Sequence, residues 1–233
     1  MTVKSPHSSG ATAPRPSARP YRLGQRQATA DETHRRIVAA ARALLSKPGP
    51  EAQSPSLEAV AREAGVARMT VYHQFGSRAG LLEAVFDSLA VEGHLVRLPE
   101  AFGRPEPLEA LAALVATFAR FWASNRTIIR RIRALAAIDD EVGAPLRARD
   151  ERRRFGLRAI MGRVERAYGR PAPERLDESV DVLHAISSFE TFDAIAGRGR
   201  SATEVEAILQ RLALAVIGLP AGDDPAAVVR LTR

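Results

Sequence analysis

From Thr29 onward, the apolar positions of this chain recur at helical spacing almost everywhere. Ile37, Val38, Ala41, Leu44 and Leu45 fall at i, i+3/i+4 and i+7, which places one face of a helix against a core. Thr29 and Glu32 have the spacing of a capping box at its start, and Lys47, Pro48, Gly49 and Pro50 stop it. The pattern predicts a second helix over 56–64, with Leu57, Val60, Ala61 and Ala64 inward and Gly65 at its end. A third follows over 67–74, and a fourth from Ser77 carries Leu81, Leu82, Val85, Phe86 and Leu89 before Gly93. Pro99, Pro105 and Pro107 then mark a connection. Five longer amphipathic helices are predicted beyond it, at 107–123, 125–140, 145–168, 174–196 and 203–217. Asn125 and Ser201 are their candidate N-caps, Glu204 completing a second capping box. Gly169, Pro171, Gly197 and Gly199 separate them. No β-type alternation and no internal repeat interrupts the pattern. The expected fold class is all-α: a small helical domain over 29–92 and a larger helical domain over 93–219. Residues 1–28 are expected to be a disordered basic tail, since they carry almost no large apolar side chains to offset ordering entropy. Residues 220–233 form a second tail.

Composition narrows the chemistry mostly by exclusion. There is no cysteine, so disulfides, thiolate metal sites and a Cys nucleophile are ruled out. The histidines at 7, 34, 73, 94 and 184 form no metal-ligand spacing. No nucleophile motif and no phosphate-binding Gly loop is present, so the chain is expected to be no enzyme and to need no cofactor. Asp181 and His184, at i and i+3, read as a surface hydrogen bond. The most apolar stretch, 108–123, is broken by Glu109 and Arg120 and falls short of membrane-spanning length. With no apolar signal-peptide core at the N-terminus, a cytoplasmic protein with no membrane partner is expected.

The formal net charge is +7, and its distribution matters more than its size. Residues 1–30 hold Lys4, Arg15, Arg19, Arg22 and Arg26 and no acid, which leaves the rest of the chain nearly neutral. Residues 31–90 carry acids and strong bases in equal number. Long-range attraction to a polyanion therefore has two candidate sources: local clustering of bases, or the arginine tail acting as an arm along a nucleic-acid backbone. A solvated leader is the competing reading of that tail.

The segment 56–75 meets the demands of a helix-turn-helix. Its two short helices cross at a steep angle over a tight turn. Ala61 is small where they approach, Gly65 tolerates a left-handed backbone, and Val66 and Val71 grip the first helix. The spacing alone fits an ordinary helical hairpin equally well.

The wider stretch 33–89 resembles the DNA-binding domain of the TetR/AcrR family of bacterial regulators. The resemblance runs through 36–45 and 56–66. It is most specific in the run Tyr72, His73, Gln74, Phe75, Gly76, Ser77, Arg78, where a Tyr-His-x-Phe-Gly-Ser-basic pattern is seldom found outside that family. Three positions depart from the family pattern. Pro48, Gly49 and Pro50 stand where an aromatic residue usually follows the first helix; Ala67 replaces a Ser before the recognition helix; and Gly80 replaces an acid. The resemblance implies a sequence-specific transcriptional regulator, most commonly a repressor, released from its double-stranded DNA operator by a small-molecule ligand. It places the helix 67–75 in the major groove, with Arg68, Met69 and Thr70 at base edges and Ser56, Tyr72, His73 and Arg78 at phosphates. An activator, or a helical adaptor without small-molecule sensing, is the alternative.

The resemblance also implies a homodimer reading two half-sites, its interface formed by 174–196 and 203–217. The apolar stripes there (Val180, Leu183, Ile186, Phe189 and Ile195, then Val205, Ile208, Leu212, Leu214 and Val216) fit intramolecular core as well. The middle helices would enclose the ligand. Phe118, Phe121, Trp122, Phe155 and Met161 are candidate linings, and His184, Ser188 and Glu190 candidate polar anchors. The arginines at 126, 130, 131, 133, 152, 153 and 154 read as solvated helix faces, with an acidic ligand as the alternative.

Overall fold

The computed structural model describes residues 19–47, 55–197 and 199–219, with side chains from Gln27 onward. Eleven α-helices make up its regular structure: α1 (Arg19–Ser46), α2 (Leu57–Ala64), α3 (Arg68–Phe75), α4 (Arg78–Glu92), α5 (Leu98–Phe102), α6 (Pro107–Ser124), α7 (Arg126–Ala136), α8 (Asp140–Tyr168), α9 (Leu176–Ile186), α10 (Phe189–Ala196) and α11 (Ala202–Val216). Two short 3₁₀ turns, Leu95–Arg97 and Pro173–Arg175, precede α5 and α9. Among the described residues there is no strand. The tails at 1–18 and 220–233, the loop residues 48–54 and residue 198 lie outside the described residues, and with them Lys4 and Arg15 of the proposed basic arm; of Arg19, Arg22 and Arg26 only the backbone is described.

By its internal contacts the chain divides into residues 1–36 and residues 37–233. In the first unit the helix starts at Arg19, well before the predicted start at Thr29. Residues 19–28 are therefore helical, which corrects the expected disorder there. Pro20 sits in the first turn, where no intrahelical amide is needed, and the Arg and Gln residues that follow are good helix formers. Thr29 is not a cap: its carbonyl accepts from the Thr33 hydroxyl at 2.9 Å inside the helix, and Glu32 pairs with Arg35 instead of closing a box.

In the second unit, the end of α1 supplies Ile37, Val38, Ala41 and Leu45 to a core shared with Val60, Ala61 and Ala64 of α2, Val71 of α3, and Leu81, Leu82, Val85, Phe86 and Leu89 of α4. The α2–α3 turn closes as the spacing of 56–75 predicts. Gly65 adopts φ 64°, ψ 40°. Its amide bonds to the Arg62 carbonyl at 3.2 Å, and the Val66 amide to Ala61 at 3.0 Å, a Schellman closure that a side chain at φ > 0 would strain. Ser56 caps α2 through Ala59 N at 3.1 Å, and Ser77 caps α4 through Gly80 N at 3.1 Å.

The larger helical part departs from the predicted boundaries in four places, each with a local cause. α5 forms where only a connection was expected, opened by Pro99 in its first turn. α7 ends at Ala136, and α8 starts at Asp140 and runs through Pro145. Asp139 caps it, accepting from Glu141 N at 3.1 Å, so the proline that reads as a helix start lies one turn inside. Asn125 makes no capping bond to α7; it is buried and donates to the Ser124 hydroxyl at 2.9 Å. The predicted helix 174–196 is two helices, broken at Ser187 and Ser188. Ser188 caps α10, accepting from Thr191 N at 3.2 Å. That bond takes the amide which a continuous helix would give to Ser187, and leaves the Ser187 carbonyl for other donors. The Ser201–Glu204 capping box forms as predicted. Among the described residues, no helix is long and apolar enough to cross a membrane.

Candidate functional site

Two regions of the second unit combine exposure or enclosure with usable chemistry. The first is the outer face of α3. Val71 turns inward and is fully buried. One helical step around, Arg68, Met69, Tyr72 and His73 are exposed, and Thr70 is half-buried. Met69 and Tyr72 expose 56% and 52% of their surface, so neither is core; the Tyr72 ring does not pack between helices. Its ring is tilted against that of His73, centroids 6.5 Å apart. Ala67 gives the helix start no side-chain acceptor, so the first-turn amides keep their positive end toward solvent. Ser56 is exposed at the start of α2, its hydroxyl already engaged as a cap. Residues 68, 69, 70, 72 and 73 thus stand exposed or half-buried on one short helix, and Ser56 stands exposed at the start of the helix before it.

Arg78 does not join them. Its guanidinium donates to Asp139 at the start of α8. A phosphate contact by Arg78 would therefore have to share the guanidinium with this ion pair.

The second region is a cavity of about 340 Å³ between α4, α5, α6, α7 and α8. Phe118, Phe121 and Trp122 line it, as predicted. Trp122 is the chain's single tryptophan and is almost wholly buried. Its ring meets Phe118, Phe121 and Phe189 at 5.7, 4.7 and 5.7 Å. Its indole N–H donates to the Ser187 carbonyl at 3.0 Å. The break between α9 and α10 thus supplies a partner for a buried donor that would otherwise cost about 1–3 kcal/mol unpaired.

The remaining candidate linings are placed differently. Phe155 is 76% exposed on the outside of α8, because α8 turns Leu157, Ile160 and Met161 to the core instead. Met161 is fully buried core. Ser188 is engaged as the α10 cap. His184 stands behind the wall, its Nε2 3.0 Å from Arg153 Nη2 and 3.1 Å from the Asp150 carbonyl. Burial first, and then the Arg153 charge, lower its pKa below the ordinary 6.5, so the ring is neutral at pH 7, and its tautomer sets whether Nε2 accepts from Arg153 or donates to the Asp150 carbonyl. Glu190 lies 3.7 Å from Arg133.

Several of the arginines expected on solvated faces are structural. Arg133 lies in the cavity wall and binds both oxygens of Asp150, at 2.7 and 2.9 Å. Arg153 is 5% exposed in the same wall. Arg126 and Arg130 converge on Asp193, at 2.5 and 2.6 Å, and Arg131 donates to the Leu45 carbonyl. An arginine stripe on an amphipathic helix looks the same in sequence whether its heads meet water or buried carboxylates.

The structure also sorts the proposed dimer stripes. Val180, Leu183, Phe189, Val205 and Leu214 are buried within the protomer. Ile186, Ile195, Ile208 and Val216 are half-buried, and Leu212 is 40% exposed. Val182 of α9, absent from the predicted set, is 41% exposed.

Residues 37–85 match the family model described as bacterial regulatory proteins, tetR family. No curated protein matches the chain. Among solved structures, a transcriptional regulator from Rhodococcus sp. Rha1 aligns at 21% identity over 79% of this chain and 95% of its own, with a TM-score of 0.59. A putative TetR-family transcriptional regulator from Mesorhizobium loti aligns at 18% identity over 81% and 96%, TM-score 0.60. GusR from Salmonella enterica aligns at 17% identity over 80% and 96%, TM-score 0.61. At these identities the likeness is one of fold.

Proposed function

We propose, from the match of residues 37–85 to the family model of bacterial regulatory proteins, tetR family, that the chain is a sequence-specific transcriptional repressor that leaves its operator when a small molecule fills the cavity at Trp122. The observation that carries the DNA-binding half is the α3 face. Arg68, Met69, Tyr72 and His73 stand exposed together on a helix whose first turn has no side-chain cap, in the family's helix-turn-helix. Arg68 offers a bidentate donor to guanine, Thr70 a donor or acceptor, and Met69 an apolar contact. Tyr72, His73 and Ser56 supply phosphate contacts that set register without reading sequence. A homodimer places two such helices in adjacent major grooves, roughly 34–36 Å apart. The exposed apolar residues Val182 and Leu212, on the packed pair α9 and α11, are the surface offered for pairing.

The ligand-responsive half rests on what the cavity touches. Phe86, Asp87 and Ala90 of α4 form part of its wall, and the same helix begins one residue beyond the cap that follows α3. A ligand that prefers one setting of α4 over another changes the spacing of the recognition helices; a ligand with equal affinity for both changes nothing. Typical coupling is about 1–3 kcal/mol. Selection of bound fragments from a random DNA pool, followed by gel shift, tests the reading. Salt-sensitive binding to a twofold-repeated sequence is expected. Binding that ignores sequence and salt, or none at all, leaves the helical-adaptor alternative.

A further inference from the structure

The cavity wall carries more buried positive charge than its own acids neutralise. Arg133 and Arg153 both face the half-buried carboxylate of Asp150, and the exposed Glu190 carboxylate stands 3.7 Å from Arg133 Nε. Arg133 occupies both of its oxygens, and Arg153 Nη2 stands 3.4 Å from Oδ1. Arg153 otherwise reaches only the neutral His184 ring at 3.0 Å and the Ser187 carbonyl at 3.4 Å. The Nε–H of each guanidinium is buried without a hydrogen-bond partner, although native interiors pair nearly all such donors. Burial lowers the Arg153 pKa only to about 10, so the group stays charged at neutral pH.

The rings beside these cations exclude other ligand charges. Arg153 lies over the Phe118 ring at 5.4 Å, Arg133 over Trp122 at 5.9 Å, and Arg149 over Phe86 at 5.0 Å. A cationic ligand seeking those ring faces would meet a guanidinium at each. Arg149 spends its own charge on Asp87 at 2.6 Å and Glu83 at 3.4 Å. What remains open is the Nε–H of Arg133 and of Arg153, two buried donors that an anion would satisfy. Leu95, Leu98, Leu114 and Leu146 complete an apolar wall, and the volume lies near the lower end of the roughly 300–1,000 Å³ of ligand sites.

We propose that the cavity binds a small organic carboxylate with an apolar, ring-sized body, its carboxylate accepting from Arg153 and Arg133 and its body lying against Trp122 and Phe118. Charge-assisted donors to a carboxylate are the stronger class of hydrogen bond, and in this partly buried wall the ligand completes the countercharge that Asp150 and Glu190 supply in part. The regulatory consequence rests on the function proposed above; the binding itself does not.

Trp122, as the chain's single tryptophan, makes its own reporter. Benzoate, phenylacetate and 3-phenylpropanoate, each with its amide and its amine, are titrated into the full-length protein while tryptophan emission is followed. At least one acid is expected to change the emission saturably and to bind at least tenfold tighter than its amide, with no saturable change from the amines. Arg153→Gln is expected to remove that preference while leaving amide binding in place, and Arg153→Lys to keep part of it. Amides that match the acids, amines that bind best, or acids without effect at millimolar concentration overturn the proposal. The acid–amide comparison in the unaltered protein needs no variant to fold. A protein that binds the acids but shifts no DNA sinks the regulator reading and leaves this one standing; one that shifts DNA and ignores the acids does the reverse.

Discussion

Arg78, in the first turn of α4, donates to Asp139, the residue that caps α8. One carboxylate thus serves two helices, accepting from the Glu141 amide and from the guanidinium beside α3. The pair is about one-third exposed, so its worth to stability is small, about 0–1 kcal/mol. Asp139→Asn keeps a capping oxygen and removes the charge. It is expected to change the urea midpoint little, yet to alter how far ligand binding shifts DNA affinity. Asp139→Ala loses the cap as well, about 1 kcal/mol more. A double-mutant cycle with Arg78→Gln isolates the pair; a coupling of zero in both stability and ligand response removes it from the mechanism.

Gly80 departs from the family pattern for a steric reason. A Cβ there would stand 2.2 Å from the Phe75 carbonyl at the end of α3. Gly80→Ala is expected to destabilise by roughly 1–3 kcal/mol, as overpacking does, and to weaken DNA binding by moving the end of the recognition helix. A denaturant midpoint and operator affinity within error of the parent protein would contradict the close approach.

The proposed division of the α3 face into base reading and backbone anchoring predicts two kinds of failure. Arg68→Ala is expected to cost about 1–3 kcal/mol on the preferred operator and to relax discrimination at one base pair. Tyr72→Ala and His73→Ala are expected to weaken binding to all sequences alike, because phosphates carry no sequence. Affinity measured on an operator and on single-base variants separates these patterns. If Tyr72→Ala binds as the parent does, the phosphate assignment is wrong.

What the sequence makes legible follows from how local the cause is. The α2–α3 turn is encoded by Gly65 and its neighbours, and the cap at Ser201 by a side chain three residues from its target. Those were readable. Pro145 misleads because a proline tolerated within α8 looks like a helix start. The break at Ser187 leaves no local mark, and its consequence, a carbonyl for Trp122, spans distant parts of the chain. The cavity was readable only in its aromatic half. Arg133 and Arg153 carry the same letter as their solvated neighbours, and Phe155 the same letter as the lining phenylalanines. Which heads are buried depends on tertiary packing, to which periodicity is blind.

Leu212 tests the pairing surface. It is the exposed member of α11's apolar set, and Val182 is its counterpart on α9. Leu212→Arg should leave the protomer folded, since the side chain is not core, and should turn a dimer into a monomer in sedimentation. DNA affinity should then fall steeply, because each monomer reads one half-site. A variant that remains dimeric moves the interface elsewhere.

His184 couples the wall of the cavity to pH. Burial and the neighbouring Arg153 hold its pKa below the unfolded value of 6.5, so the unfolded chain binds the proton more readily than the folded one. Stability associated with this ring is therefore complete above pH 6.5 and is lost as pH falls below it. Protonation makes both ring nitrogens donors, so neither can accept from Arg153, and adds a like charge beside it. His184→Gln offers an uncharged acceptor that does not titrate. The parent protein is expected to lose thermal stability between about pH 6.5 and 5 by more than the variant does, and NMR titration should place the His184 midpoint below 6.5. A midpoint at or above that value, or parallel stability profiles, would show that the ring does not carry the neutral contact to Arg153.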